Sequence, residues 1–467
     1  MSLLGVLALN LLFLLAGSGV LWGIRGWASW GEYAALGGVG YMSGLCAVCA
    51  LATLVPIYGG GLSTAALLAI VGVVTLAGVA IGAVKRRPLP PRPRGWTWPT
   101  SPRQLPQLAL MALAAGLLVS MFRVARIQPL TSWDAWAFWM PKAKAIYFLG
   151  GLDPSLFRSL WGQSYPLLVP VLGAMNFRFM GSADTTTLGV QWWLLALGLV
   201  WAAAGLLRRV APTPLTWLFL ALFLAVPELD KRLFERLADW PLDIFFALAA
   251  CSLLAWIVSR ESWLLAVYGL MVSGVLLTKR EGQLLAVCLV VAGLVAGGLR
   301  TRRTWLAVAG IAVLAYLPVI PWRIWWTSRH LPSDTPRGGL VHATFANADK
   351  APEAFHLVFR LLFDYHHWLA TAPIAVVAAL LCLGVADRRA ATFFLVAFGL
   401  GFVGWAWENW AWSSPKYPIT SNPAVNPTIR TVGSLVLLSI VAAPVLIGQL
   451  LAQREAEKVP AAIPASP

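Results

Sequence analysis

Long apolar stretches recur along the chain and are separated by shorter polar connections. In helical form, about 17–25 apolar residues cross the roughly 30 Å of hydrocarbon in a bilayer, so each stretch predicts a transmembrane helix. We predict about thirteen spans. They cover residues 2–24, 34–57, 62–84, 106–124, 187–207, 213–228, 238–258, 262–278, 284–299, 305–322, 369–386, 391–407 and 431–451. The segment 213–228 is short for a span, whereas 164–180 is apolar enough to be mistaken for one.

The composition supports the same class of protein. Of the 467 residues, 59% are hydrophobic and 12% are charged, whereas a soluble domain is about half apolar and a quarter charged. A single water-soluble core cannot hide this much apolar surface, because such cores stop growing near about 250–300 residues. We therefore expect an all-α polytopic integral membrane protein.

Lys and Arg are concentrated in alternate loops, which is typical of cytoplasmic loops. These loops contain Arg25, Lys85, Arg86, Arg87, Arg92, Arg94, Arg103, Arg208, Arg209, Arg260, Arg300, Arg302, Arg303, Arg388, Arg389, Arg454 and Lys458. With an odd number of spans, this assignment places the N-terminus outside and the C-terminus inside.

The loops assigned to the outer face also carry cations, which the topology rule does not require there. They include Lys142, Lys144, Lys231, Arg232, Lys279, Arg280, Lys416 and Arg430. Together with a net charge of +16, they indicate an anionic ligand such as a lipid phosphate. The alternative is that these side chains only contact the anionic headgroups of the outer leaflet.

Two low-complexity segments divide the chain. The first part of the chain is a predicted three-helix membrane unit at 1–84, followed by a basic Pro-rich cytoplasmic linker at 85–105. A membrane core follows at 106–322 and includes an outer loop at 125–186; a second outer loop lies at 323–368. The C-terminal membrane helices at 369–451 include an outer loop at 408–430, and the chain ends in a cytoplasmic tail at 452–467. We expect an extended linker and a disordered Ala/Pro-rich end to the tail.

Familiar cofactor motifs are not found in the sequence. Cys46 and Cys49 have thioredoxin-like spacing, but they lie in an apolar span without a βαβ context, which favours packing as small side chains. His366 and His367 are adjacent, so they do not have the spacing of metal ligands on one helix face. There is no P-loop, dinucleotide fingerprint or nucleophile elbow. We expect no cofactor and no metal site.

The first large outer loop combines an acid, tryptophans and two lysines. It contains the segment Thr-Ser-Trp-Asp-Ala-Trp-Ala-Phe-Trp-Met-Pro-Lys-Ala-Lys, residues 131–144. Helical spacing favours a helix lying along the membrane with Trp136 and Trp139 at the interface. Asp134 heads this helix, where an acid has an ordinary role as a cap. Alternatively, with Lys142 and Lys144 nearby, Asp134 takes part in chemistry at the interface.

This segment resembles the first outer loop of the GT-C superfamily of membrane glycosyltransferases, particularly the bacterial relatives of protein O-mannosyltransferases and of the lipid A aminoarabinose transferase. Residues 133–144 resemble the loop that carries the family's catalytic acid, and 164–170 resemble its proline-marked helix. Residues 238–242 resemble a second acidic motif, and 278–282 a Lys-x-Glu-Gly turn. The resemblance covers roughly 108–310; unlike many members, this chain has three helices before the loop and a single acid in it.

The resemblance implies a GT-C-like fold and inverting transfer of a sugar from a polyprenyl-phosphate donor to an envelope glycan, lipid or protein. The reaction would take place at the outer face of the plasma membrane, the bacterial inner membrane, without a metal or nucleic acid. Asp134 is implied as general base, with Asp239 and Glu281 orienting the cations. The cations implied for binding the donor phosphate are Lys142, Lys144, Lys279, Arg280 and Arg430.

Two other functions remain open from the sequence. One is a transporter or flippase of lipid-linked glycans, and the other is an enzyme of the O-antigen ligase or polymerase type. Transporters place polar groups near the bilayer midplane. Here the predicted spans are nearly free of ionisable residues, and polarity collects in the outer loops, which favours an interfacial enzyme.

Overall fold

The computed structural model describes residues 2–88, 104–299, 301–333, 339–384, 387–414, 418–420, 422 and 427–458. Most of the predicted linker, the end of the tail and Lys416 lie outside these residues. The described part is helical and contains no β-strand.

The helices in the first half of the chain are α1 (Ser2–Ile24), α2 (Trp30–Ile57), α3 (Thr64–Val84), α4 (Leu105–Ala125), a π-helical turn (Asp134–Trp139), α5 (Met140–Leu149), α6 (Pro154–Ser159), α7 (Leu168–Met180), α8 (Gly189–Leu207), α9 (Thr213–Ala225) and α10 (Pro227–Glu235).

The second half contains α11 (Asp239–Ser259), α12 (Trp263–Thr278), α13 (Gly282–Gly297), α14 (Arg302–Trp305), a π-helical turn (Leu306–Gly310), α15 (Ile311–Tyr316), a 3₁₀ turn (Leu317–Val319), α16 (Ile320–Ser328), α17 (Gly339–Ala346), a 3₁₀ turn (Ala348–Lys350), α18 (Ala351–Leu362), α19 (Tyr365–Trp368), α20 (Thr371–Cys382), α21 (Arg389–Ala411), α22 (Thr428–Thr431) and α23 (Gly433–Lys458).

Each predicted span coincides with helical structure. Among the described residues, nine helices are long and apolar enough to cross a membrane, or ten if the bent pair α9 and α10 forms one span. The predicted spans at 262–278, 284–299 and 369–386 are occupied by helices of 16, 16 and 12 residues, which is short for a membrane crossing. Within the described residues, the all-α class with many helices long and apolar enough to span a membrane is therefore confirmed, whereas the number thirteen and the GT-C-like fold stay predictions.

Helix α11 forms the centre of the bundle. Every residue from Asp239 to Ile257 is buried, and α11 packs against α8, α12, α13 and α23. Helices α3 and α4 lie at the periphery and leave large apolar side chains exposed, as expected of surfaces that contact lipid.

The N-terminal helices pack closely because glycines line their contact. A Cβ atom added to Gly17 of α1 would lie 1.7 Å from the carbonyl oxygen of Gly40 in α2. Small residues of this kind let membrane helices approach backbone to backbone. The three-helix unit also contacts the core, since α2 packs on α8 and α1 on α7.

Two prolines shape the backbone near the ends of helices. Helices α9 and α10 meet at a 60° bend, where Pro227 begins α10 and has no N–H to continue the hydrogen bonds of α9. In the first loop, Pro141 follows the π-helical turn and likewise cannot donate to the preceding turn. In the π-helical turn, the N–H of Met140 bonds to the carbonyl of Ala135.

Candidate functional site

Ion pairs join loops at two opposite ends of the bundle. Asp239 and Glu261 flank α11, whose 21 residues separate them by about 30 Å. At one end, which we call the basic face, Arg25 pairs with Glu32, and Arg209 pairs with both Glu32 and Glu261. The other end, which we call the site face, contains Asp239 and the sequence-predicted site residues described below. This grouping follows the predicted alternation of loops, and which face is outer stays a prediction.

A buried lysine lies between two carboxylates at the site face. The Nζ atom of Lys279 is 3.0 Å from Oδ1 of Asp239 and 3.2 Å from Oε1 of Glu281. Asp239 begins α11, while Lys279 and Glu281 occupy the turn between α12 and α13, so three helix ends converge here. Burial alone would lower the pKa of Lys279, but the two carboxylates raise it above its usual value. The two carboxylates therefore favour the charged form of Lys279.

The turn that contains Lys279 is tied to the first large loop. The hydroxyl of Tyr165 donates to Oε1 of Glu281 at 3.1 Å. The guanidinium carbon of Arg280 lies 4.6 Å from the centre of the Tyr165 ring and 5.3 Å from that of Trp412. These distances are typical of cation–π contacts. Arg280 is therefore positioned by aromatic rings from the first loop and from the end of α21.

Asp134 forms an ion pair with Arg430 of α22. Asp134 is the first residue of the π-helical turn, and no side chain caps that turn. Its carboxylate therefore contacts a cation rather than free backbone N–H groups within the described part of the chain. π-Helical turns occur frequently at functional sites. Asp239 and Glu235 also lie near enough to Arg430 to act on its charge.

Lys142 and Lys144 occupy different surroundings from the other predicted cations. Lys142 is buried; its Nζ donates to the carbonyl oxygen of Gly162 at 2.6 Å and lies 4.4 Å from the centre of the Phe138 ring. Lys144 is half-buried and forms no ion pair within the described ranges. The structure thus brings Lys279, Arg280 and Arg430 to the site face, and Lys142 supports the interior of the first loop.

A second buried ion pair was not predicted from the sequence. Arg232 of α10 pairs with Asp243, one turn inside α11. Arg232 also donates to the carbonyl oxygen of Ile429 at 2.9 Å, and its guanidinium lies 5.0 Å from the Trp368 ring centre. Gly433 must lack a side chain here, because a Cβ atom would lie 2.0 Å from Nη1 of Arg232.

Two acids within apolar helices were missed by the sequence analysis. Asp243 belongs to α11, and Glu408 of α21 lies close enough to Glu281 and Lys279 to interact electrostatically. The expectation that the predicted spans are nearly free of ionisable residues overlooks Asp243. A single acid inside an apolar span is itself a signal of function and could have identified Asp243, whereas Glu408 falls just after the predicted span 391–407 and inside the observed helix α21.

Ion pairs connect the charges at the site face, but hydrogen bonding is incomplete. Arg232 pairs with Asp243, Lys279 with Asp239 and Glu281, and Arg430 with Asp134. Among the described residues, some buried atoms have no hydrogen-bond partner: Nε of Arg232, Nε of Arg430, Oε2 of Glu281 and Oδ1 of Asp230. Buried polar atoms normally have partners, so these atoms are candidates for contacts with a polar ligand.

This arrangement provides a carboxylate and several cations at the end of an apolar bundle. No group of three metal-ligating side chains occurs in the ranges that the structure covers. Comparison with protein-family models, with curated proteins and with solved structures finds no match.

Proposed function

We propose that this protein is a GT-C-type inverting glycosyltransferase that uses a polyprenyl-phosphate-linked sugar. Its acceptor would be an envelope glycan, lipid or protein at the outer face of the plasma membrane, the bacterial inner membrane. The observation that carries the proposal is the site face itself, where Asp134 meets Arg430 beside the buried Lys279. An acid and cations at the end of apolar helices suit a substrate with a lipid tail and an anionic head.

The chemistry assigns different work to the acid and to the cations. An acceptor hydroxyl oxygen attacks the anomeric carbon and forms a new C–O bond, while the bond from that carbon to the phosphate oxygen breaks. Asp134 takes the hydroxyl proton as general base. The departing polyprenyl phosphate gains negative charge, which Lys279, Arg280 and Arg430 stabilise more strongly than they stabilise the bound donor. Asp239 and Glu281 hold Lys279 in place.

A transporter of lipid-linked glycans is the second candidate, and one observation favours it. A polar cluster lies among apolar helices: Nδ2 of Asn10 donates to Oε1 of Gln191 at 2.8 Å, and the hydroxyl of Tyr41 donates to Oδ1 of Asn10 at 2.6 Å. Transporters place polar groups among their apolar helices, near the bilayer midplane. All three residues bond to one another, however, so the cluster also serves to join α1, α2 and α8.

A transfer assay separates the two functions. The purified protein is placed in proteoliposomes with a polyprenyl phosphate that carries a labelled sugar and with cell-envelope material as the acceptor, and the release of free polyprenyl phosphate is measured. We expect Asp134→Asn to lower turnover by about 10²–10⁴. The matched control is Asp153→Asn in the same loop, because Asp153 caps α6 through the N–H groups of Ser155 and Leu156. Transport of the intact labelled lipid with no release of polyprenyl phosphate would support the transporter instead.

The sidedness of the site is tested by labelling single cysteines. The five native cysteines are buried, so an impermeable maleimide reaches them poorly and the labelling reports on the introduced cysteine. Ser159→Cys in the first loop should react with an impermeable maleimide added outside, and Ser262→Cys at the basic face should not. The reverse pattern would contradict an active site on the outer face. Both serines are exposed, which makes the two positions comparable.

A further inference from the structure

The ion pairs of the site face limit how it can bind an anion. Each of Lys279 and Arg430 already contacts a carboxylate. A phosphate that binds either cation therefore competes with a carboxylate that is already in contact with it. The cation that exchanges should have few internal partners and some access to the site.

The cations differ in this respect. Lys279 contacts two carboxylates and is 8% exposed, so removing one carboxylate leaves it paired. Arg232 is fully buried and also holds the backbone of Ile429. Among the described residues, Arg430 has one carboxylate at ion-pair distance, with Asp239 and Glu235 further away, and its side chain is 20% exposed. Arg430 is therefore the cation that can change partners most readily.

One edge of the Arg430 guanidinium makes no hydrogen bond within the described part of the chain. Its Nη1 atom contacts Asp134, whereas its buried Nε has no hydrogen-bond partner among the described residues. A guanidinium binds phosphate through two N–H groups at once, which is stronger than a single contact. A phosphate at the Nε edge would compete with Asp134 for the same positive charge.

We propose that Arg430 exchanges Asp134 for the donor phosphate, so that binding of the donor releases the carboxylate. This inference rests on the proposed function, since it concerns the same site. Without donor, Asp134 is neutralised by Arg430; with donor bound, Arg430 contacts the phosphate and Asp134 is free to accept the proton of the acceptor hydroxyl. The order of binding then follows from electrostatics, with the donor first and the acceptor second.

The exchange predicts a change in donor affinity that would not be expected if Asp134 acted only as a general base. Asp134→Asn removes the competitor for Arg430, so this variant should bind polyprenyl phosphate about tenfold more tightly than the wild type. Arg430→Gln should weaken binding about tenfold. The double variant should bind like Arg430→Gln, because Asp134 acts on the phosphate only through Arg430.

Binding is measured on the full chain in nanodiscs by titration with polyprenyl phosphate. Polyprenol with the same tail shows the affinity that is independent of phosphate, and inorganic phosphate shows whether the head alone is bound. Asp153→Asn is the matched control and should bind like the wild type. Arg430→Lys retains the positive charge and should retain part of the affinity, which separates loss of the cation from loss of the fold.

The outcomes distinguish the inference from the function on which it rests. Unchanged or weaker binding by Asp134→Asn would overturn the exchange while leaving phosphate recognition intact. Equal affinity of the wild type for polyprenyl phosphate and polyprenol would instead contradict the proposed function. Tighter binding by Asp134→Asn together with lost turnover would support both.

Discussion

The basic face and the site face use the same types of charged residue in different surroundings. At the basic face, the side chains of Arg209 and Glu261 are 23% and 33% exposed. At the site face, Arg232 is fully buried and Asp243 is 2% exposed. Each ion pair that water reaches contributes about 0–1 kcal/mol to the free energy of unfolding. A buried pair has a large desolvation cost, and removing one partner leaves an uncompensated charge.

The difference lies in one pair, Arg232 with Asp243, because the side chains of Arg430 and Asp134 are 20% and 31% exposed and so resemble the basic-face pairs. The basic-face pairs connect three loops, and water could replace any of them at small cost. Apolar side chains could fill the positions of Arg232 and Asp243 with no loss of stability, because such replacements are often neutral or stabilising. Among the described residues, buried atoms without hydrogen-bond partners occur at both faces, with Nε of Arg25 and Arg209 at one and Nε of Arg232 and Arg430 at the other. The buried pair of Arg232 and Asp243 is what separates the faces, and a buried pair that stability does not require is a candidate for a functional role.

The largest effect on stability is expected from Asp243→Asn. This change leaves the Arg232 guanidinium buried without its carboxylate, which should lower the free energy of unfolding by about 3–5 kcal/mol. Unfolding in mixed micelles with increasing SDS measures it. The double variant Arg232→Met/Asp243→Leu should recover most of the loss, since both charges are removed. A loss below about 1 kcal/mol for Asp243→Asn would place this pair with the solvent-exposed class.

The sequence predicts the helices better than it predicts their geometry. Apolar stretches mark each span because lipid requires a continuous apolar surface. The 60° bend between α9 and α10 is not visible in the apolar pattern of 213–228, although Pro227 is a local signal for it. Helices α12, α13 and α20 are shorter than a full crossing, which the apolar stretches at 262–278, 284–299 and 369–386 do not reveal.

The sequence predicts those contacts of the candidate site that join residues close together in the chain. Lys279 and Glu281 are neighbours in the chain, so their shared position follows from one short turn. The contact between Asp134 and Arg430 joins residues 296 positions apart, and no pattern in the sequence relates them. Lys142 was grouped with the phosphate-binding candidates by its charge, whereas its neighbours Phe138 and Gly162 give it a place inside the loop. Its role in binding stays a prediction.

A smaller effect is expected within the turn after α12, and it concerns donor affinity. Arg280→Ala should weaken binding of polyprenyl phosphate about tenfold, by removing a positive charge held between Tyr165 and Trp412. Glu281→Gln should weaken it less than about threefold, because the amide oxygen can still accept from Tyr165. Nanodisc titrations of the two variants compare them directly. A greater loss for Glu281→Gln would show that the turn depends on the negative charge itself.

The smallest effect is expected at the basic face, where Glu261→Gln removes one charge. Arg209 keeps its contact with Glu32 at 3.1 Å, so no cation becomes unpaired. Water reaches both side chains, and the free energy of unfolding should fall by less than about 1 kcal/mol. The loss should shrink further at about 1 M salt, where screening acts over roughly 3 Å. SDS unfolding at low and high salt measures both values. A loss as large as that of Asp243→Asn would remove the energetic distinction between the two faces, and the buried charges of the site face would then need no functional explanation.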